Sequence, residues 1–424
     1  IYMFCVKAWF YLLIVLLPFA AHAQSEHYKT EGEITIQINP SLTIGSVVQA
    51  AMGISPDNLV ASSKENYANA LSNRSSSLFA DTPELSFKHQ NDNLISNQGL
   101  QEWESSLDMP LWMPGQKSAG RLKARMYERE TAAFRKLSIL QITGQVRELL
   151  WELKLADAVL LQSRENLLIA EALNNDIQKR IAAGNLPRRN SILGTKEVMN
   201  RKMEMVDAEA EYIHVAKRYE SITGLVEIPD DIEEVIYASA ENEDEAIDKA
   251  PIIEFARAKV EFMRAEFKEA NSSWSSSPKL SVGVKRERGS FLDRNIDSVG
   301  IGLSLPFGAT SHTTSKRAEA SMALAQAERE LQLTKRDYRL ELHEAEHDLE
   351  ICEIQLPYMK SHFELSQENL RLSQKAFNMG ESDLLDLIKI QEQYVLSSAQ
   401  NNKKIIECKR AIARQNQVQG VMVQ

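Results

Sequence analysis

The 424-residue chain is 43% hydrophobic and 25% charged, with aromatic residues at only 7% and modest glycine and proline, a composition that is globular or long-helical. A formal net charge of -10 offers no basic surface and excludes nucleic acid as an expected partner.

Residues 1–23 read as a signal peptide rather than as part of the fold. Lys7 supplies the positive end, Ala8 to Ala20 is apolar, and Ala21-His22-Ala23 is a small-x-small cleavage site that makes Gln24 the expected mature start. The apolar run is shorter than a spanning helix needs, so export is expected in place of a retained anchor. Cys5 lies before that run and position 24 is not cysteine, so no lipid anchor is expected. No later segment reaches 18 consecutive apolar residues. The exported chain is therefore expected to be periplasmic, extracellular or an outer-membrane barrel.

The first repeat, residues 24–224, opens with the strand-like alternation Glu33 to Asn39, a short helix from Ser41 to about Met52, and a helix opened by Pro56 and running to about Phe79. Ala61, Ala68, Ala70 and Leu71 give that helix a thin, close-packing face. Two strands follow at about 83–110. Leu85 and Phe87 alternate with Ser86 and Lys88, and Trp103, Ser105, Leu107 and Met109 alternate with Glu104, Ser106 and Asp108. From about Lys117 to Ala183 there is no proline, which predicts one helix of some 100 Å at 1.5 Å per residue. Gly184 ends it, and another helix is expected over 187–222.

Residues 225–249 carry Glu227, Asp230, Asp231, Glu233, Glu234, Glu241, Glu243, Asp244 and Glu245, and read as a solvated acidic connector. The second repeat, 250–424, then has a helix from Ile252 to Trp274 and strands at about 278–306. There Leu280, Val282 and Val284 alternate with Ser281, Gly283 and Lys285, and Val299, Ile301, Leu303 and Leu305 alternate with Gly300, Gly302 and Ser304. A long helix over about 313–378, interrupted by a kink or boundary at Pro357, and a last helix over 382–419 complete it.

The halves are copies. Gly184 and Gly224 recur 196 residues later as Gly380 and Gly420, and Pro56 and Pro83 recur 195 later as Pro251 and Pro278. Segments of about ten alternating residues suit transmembrane strands, but four strands cannot close a barrel and open edges fail in lipid. Either the hairpins stay in water as an ordinary two-layer domain, or several chains share one barrel.

The twice-repeated order of proline-opened helix, Pro-Glu-Leu-Ser or Pro-Lys-Leu-Ser strand, proline-ended return strand, very long helix and glycine turn resembles the TolC-like outer membrane efflux family over roughly 41–422. In Leu111-Trp112-Met113-Pro114-Gly115-Gln116 and Pro306-Phe307-Gly308 it looks most like the members that serve heavy-metal pumps of the resistance-nodulation-division class. The resemblance implies a mixed alpha/beta membrane protein: a homotrimer in which each chain gives four strands to a 12-stranded outer-membrane beta-barrel continuous with a long periplasmic alpha-helical barrel. It implies no active site and no cofactor, with transport energy from an inner-membrane resistance-nodulation-division pump joined through a periplasmic adaptor protein. The cargo it implies is heavy-metal cations, with organic toxicants or type I secretion as alternatives within the duct class. A structural periplasmic coiled-coil or adaptor protein is the alternative of another class.

On this reading Leu85, Phe87, Trp103, Leu107, Met109, Leu280, Val282, Val284, Val299, Ile301, Leu303 and Leu305 face lipid. Ser86, Lys88, Ser281, Lys285 and Ser304 face the lumen, and Trp103, Trp112, Phe291 and Phe307 stand at the interfaces. Gly184, Leu186, Arg188, Arg189, Gly380, Glu381, Asp383, Leu384 and Asp386 mark the tips that in the family meet the adaptor and close the aperture, and opposite charges there suggest links between tips. Cys352 and Cys408 each lie 28 residues from Gly380, at one height of an antiparallel hairpin, where a disulfide or two free thiols are both possible. His343-Glu344-Ala345-Glu346-His347 fits the zinc-protease pattern, but a long helix offers no cleft for a peptide, and no enzyme is expected.

Overall fold

The computed structural model describes residues 36–237, 247–272, 277–307 and 310–423. The expected signal peptide and Gln24, the strand start at Glu33–Thr35, Glu241, Glu243, Asp244, Glu245, Trp274 and Gly308 lie outside the described residues.

The chain opens with β1 (Gln37–Asn39), α1 (Ile44–Ile54) and α2 (Asp57–Ser76). Thr43 and Ser46 form a reciprocal capping box at the start of α1, each satisfying a backbone N–H that the helix leaves unpaired. Val47, Val48 and Ala51 bury that helix against α3 and α4. Pro56 sits as the N-cap of α2. Strands β2 (Glu84–Asn91) and β3 (Gln101–Pro110) lead into α3 (Gln116–Ala182), whose 67 residues span about 100 Å. After α4 (Arg189–Thr223) comes β4 (Glu227–Pro229), parallel to β1. The Asn39 side chain donates to Glu227 across this pair at 2.6 Å.

The second half repeats the pattern with α5 (Pro251–Ser272), β5 (Lys279–Arg288), β6 (Ile296–Ser304), α6 (Thr310–Met379) and α7 (Leu384–Val418). Pro357 lies inside α6 without ending it. The expected boundary there is replaced by continuous helix. Proline removes one hydrogen bond, whereas α6 is held to α7 on either side, at Cys352 and through the Ser397–His362 hydrogen bond of 3.0 Å. Leu305 falls one residue past β6.

The four longer strands form one antiparallel sheet in the order β2, β3, β5, β6. The helices form a slab. Near the sheet the neighbours run α2, α3, α5, α6, tied by Lys64 to Glu130 at 3.0 Å, Lys123 to Glu266 at 2.8 Å and Lys259 to Glu330 at 2.6 Å. Toward the far end they run α4, α3, α7, α6. Thus α2 and α4 share one edge of the slab and α6 forms the other.

Candidate functional site

The strand register sorts the sheet into two faces. Leu85, Leu107, Val282 and Ile301 form one cross-strand row, Phe87, Ser105, Val284 and Val299 the next, and Met109, Leu280 and Leu303 a third. Paired residues of an antiparallel sheet share a face, so these rows make one continuous apolar surface. It is uncovered: Phe87 is 77% exposed and Ile301 78%. Each such side chain forgoes about 1.5–3 kcal/mol of burial, so the face requires an apolar neighbour from outside the chain. The opposite face is polar or small. There Ser86 and Ser106 hydroxyls pair at 2.7 Å, Ser281 donates to Asp108, and Lys285 pairs with Glu102 at 3.3 Å. Gly283 and Gly300 continue the row of Ser86 and Ser106. A Cβ at Gly283 would lie 2.9 Å from the Ser105 carbonyl oxygen, so that row takes no side chain at this point.

At the hairpin-loop end, the apolar face closes with the row of Trp103, which brings the polar His89, Arg286 and Asp297 to the same face. His89 stacks on Trp103 with ring centres 3.9 Å apart, and Arg286 donates in bidentate fashion to Asp297 at 2.6 and 2.9 Å. The same period of two that places Val284 and Val299 outward carries on to Arg286 and Asp297. Beyond it the two loops join, the Phe291 N–H donating to the Gln98 carbonyl at 3.1 Å.

Both edges of the molecule are open. Strands β2 and β6 each pair on one side only. On the matching slab edges, Ile192, Met199, Met203 and Val206 of α4 and Ile354, Tyr358, Leu365, Leu372 and Met379 of α6 are exposed. Their spacings of three, four and seven residues put each set on one side of its helix.

At the far end, Gly184 and Gly380 turn the chain with φ of 78° and 79°. Gly224 and Gly420, at 71° and 80°, carry the same duplication in the backbone. No atom lies within 4 Å of a Cβ built on Gly184 or Gly380, so the left-handed conformation, not crowding, requires glycine there. Asp383 caps α7 by accepting the Leu384 N–H at 2.8 Å. Leu384 itself is 0% exposed, packed with Ile177, Leu370, Phe377 and Leu387. It is therefore core and not a tip surface, because Asp383 sets the helix phase that turns Leu384 inward and leaves Leu385 outward. Leu186 is half-buried against the same cluster. Arg188, Arg189, Glu381 and Asp386 are exposed, and among the described residues no ion pair joins either arginine to Glu381, Asp383 or Asp386 within the chain. The hairpins are linked instead by Arg180, which donates to Asn378 at 2.6 Å and lies 5.0 Å over the Phe377 ring.

Midway along the slab, the acidic equatorial connector is not wholly solvated. Arg147 and Glu234, with side chains only 4% and 8% exposed, form a bidentate pair at 2.8 and 2.8 Å. Arg147 also donates to Gln417 at 2.6 Å and to the Val421 carbonyl at 3.1 Å, while Asn416 donates to Glu234 at 3.0 Å. Gly144 makes room, since a Cβ there would meet Gln417 at 2.7 Å. The Tyr219 hydroxyl donates to the Glu227 carbonyl at 2.7 Å and that of Tyr338 to the Val418 carbonyl at 2.9 Å. Burial pushes both phenols up to about 12, against an ordinary value of about 10. A raised phenol pKa gives stability that is complete below pH ~10 and is lost as pH rises through about 12. Absorbance at 295 nm should accordingly show two tyrosines ionising late, and unfolding should bring them into the main transition.

Cys352 and Cys408 are joined, with Cα atoms 5.4 Å apart. His343 and His347 are exposed on α6. Among the described residues no group of three or more His, Cys, Asp or Glu side chains is placed to hold a metal, and no helix is long and apolar enough to cross a membrane.

No family model and no curated protein matches the chain. Solved structures do. CusC, described for the conformational changes that accompany folding and transmembrane channel formation, has a TM-score of 0.74 at 11% identity over 91% of this chain and 93% of its own. A membrane protein from Pseudomonas aeruginosa has 0.73 at 13% identity over 91% of both chains. The open state of the MtrE outer membrane channel of Neisseria gonorrhoeae has 0.71 at 14% identity over 89% and 88%. The fold is that of the TolC-like outer-membrane channels.

Proposed function

We propose that this chain is the passive outer-membrane exit duct of a tripartite efflux system and works as a homotrimer. The observation that carries the proposal is the uncovered apolar sheet face set between two open edges, each edge continuing into an exposed apolar stripe on α4 or α6. Unpaired strand edges are not tolerated in lipid, so β6 must find β2 of a second copy. The contact is head-to-tail, and such contacts close into a ring when the rotation between copies closes. Three copies give a 12-stranded barrel whose apolar face meets lipid and whose Ser, Gly and Lys face lines water. The same rotation brings α6 against α4 of the next copy and closes a helical tube.

The tube leads away from the barrel to the turns at Gly184 and Gly380, where Arg188, Arg189, Glu381, Asp383 and Asp386 offer a charged rim to a periplasmic adaptor and, through it, an inner-membrane resistance-nodulation-division pump. Charge links between the rims of neighbouring copies belong to this proposal. The signal-peptide pattern of residues 1–23 supports delivery to the envelope. The Trp112 and Phe307 turns, with their resemblance to heavy-metal members, support heavy-metal cations as cargo.

The test is native mass and single-channel conductance of the full chain extracted from outer membranes in detergent. A conducting trimer is expected. Met203→Asp with Leu365→Asp should put carboxylates into the α4–α6 contact and shift the trimer to monomer. A monomer that extracts without detergent and does not conduct overturns the duct. Cells lacking the chain should lose tolerance to heavy-metal cations, and loss of tolerance to organic toxicants alone would reassign the cargo.

A further inference from the structure

We propose that His343 and His347 form a surface binding site on α6 for a first-row divalent transition cation, Cu2+, Ni2+ or Zn2+. The duct reading makes no use of this pair, and the proposal does not rest on it. Residues four apart share a helical face. Leu342, Ala345 and Leu349 are buried, Leu342 and Ala345 in the core with Tyr338, Ile253 and Val418, which turns the histidines outward to water. Their rings stack in near-parallel planes, 3° apart, with centres 6.0 Å apart, so one ring must turn before the two lone pairs converge on one ion. A metal held at roughly 2.0–2.1 Å from one nitrogen of each ring sets the centres about 5 Å apart, so modest side-chain rotation on a fixed backbone completes the site.

A second observation supplies a partner for the ring nitrogen that does not bind the metal. A Glu350 carboxylate oxygen lies 3.6 Å from Nδ1 of His347. That is longer than a hydrogen bond, and a small rotation of either exposed side chain would let the carboxylate accept the Nδ1 proton when Nε2 holds the metal, the usual arrangement behind metal-bound histidine. The surroundings suit a cation. Glu344 and Glu346 lie between the two histidines in sequence, and the nearby Arg414 of α7 is engaged by Asp348 at 2.9 Å. Imidazole suits Cu2+, Ni2+ and Zn2+ over Mg2+ or Ca2+, with Cu2+ the tightest of the series. Two protein ligands leave the remaining positions to water, so the site binds and does not hydrolyse. The matching segment of the first repeat, Arg147 to Trp151, has no histidine, so the site belongs to the second repeat alone.

The test is titration of the purified full chain in detergent with Cu2+, followed by calorimetry and electron paramagnetic resonance. One equivalent per chain with coupling to two imidazole nitrogens is expected. His343→Ala or His347→Ala should each weaken it at least tenfold, and Glu350→Gln by about tenfold. Circular dichroism should show helix content unchanged in these exposed variants. A stoichiometric equivalent that persists in the double histidine variant, or a wild-type spectrum without nitrogen coupling, overturns the site. His347 lies seven residues before Ile354, on the edge of α6 that the duct reading sets against the next copy, so the titration is repeated on the Met203→Asp, Leu365→Asp monomer, where the same equivalent is expected, and trimer mass and conductance are measured separately.

Discussion

Glu234→Ala should destabilise the protein by about 3–5 kcal/mol, far more than any exposed carboxylate of the same connector. The reason is what the substitution leaves behind. Arg147 is 4% exposed and receives two charge-assisted hydrogen bonds' worth of compensation from Glu234 alone. Its remaining partners, the Gln417 side chain and the Val421 carbonyl, are neutral. Without the carboxylate a guanidinium stays buried beside α7 with no counter-charge, and Asn416 loses an acceptor as well. Glu233→Ala is the control. Glu233 pairs with Lys409 in a contact where both side chains are about half exposed, and should change stability by no more than about 1 kcal/mol. The double variant Arg147→Met, Glu234→Leu should recover most of the loss, because two apolar side chains need no desolvation of charge. Chemical denaturation of the detergent-solubilised protein measures all three. A Glu234→Ala loss no larger than that of Glu233→Ala would mean that water reaches Arg147.

This pair also marks where the sequence stops being readable. The repeat, the alternating strands and the glycine turns rest on local rules: a period of two, a 3.6-residue turn, a positive φ that only glycine takes cheaply. Gly184 and Gly380 follow from such rules, as does the shared face of Leu107, Val282 and Ile301. Glu234 does not. It lies 87 residues from Arg147, inside a run whose composition matches a solvated linker, and only the folded slab brings α3, the connector and the end of α7 together. Leu384 fails for a subtler reason. Leu384 and Leu385 are both apolar, and which of them turns inward depends on the residue at which α7 begins. Asp383 sets that start by capping, but a capping residue identified to within one position cannot fix a phase of 100° per residue. Arg286 and Asp297 were within reach of the period-two rule. Charge alone favours the polar face, and the mutual bidentate pairing that makes the outward face tolerable is a cross-strand fact.

Removing the Cys352–Cys408 link should lower stability by roughly 4 kcal/mol, the loop-closure entropy of the 56 residues it spans. The double variant Cys352→Ala, Cys408→Ala is the proper probe. Both positions are buried, and alanine avoids the unpaired hydroxyl that serine would leave there. Dithiothreitol should bring the native protein down to the stability of the variant and leave the variant unmoved. Thiol titration of denatured, unreduced protein should find neither cysteine free, and two free thiols would remove the bond. Its placement gives a sharper consequence. The link and the Gly380 turn close the lower parts of α6 and α7 into a ring, so the two helices cannot slide past one another between those points. The first repeat has Ala156 and Tyr212 at the matching positions, and α3 and α4 keep that freedom. Reduction should therefore raise amide exchange between residues 352 and 408 while leaving the α3–α4 hairpin as it was. Equal acceleration in both hairpins would show that the bond stabilises the whole slab and does not set the stiffness of one arm.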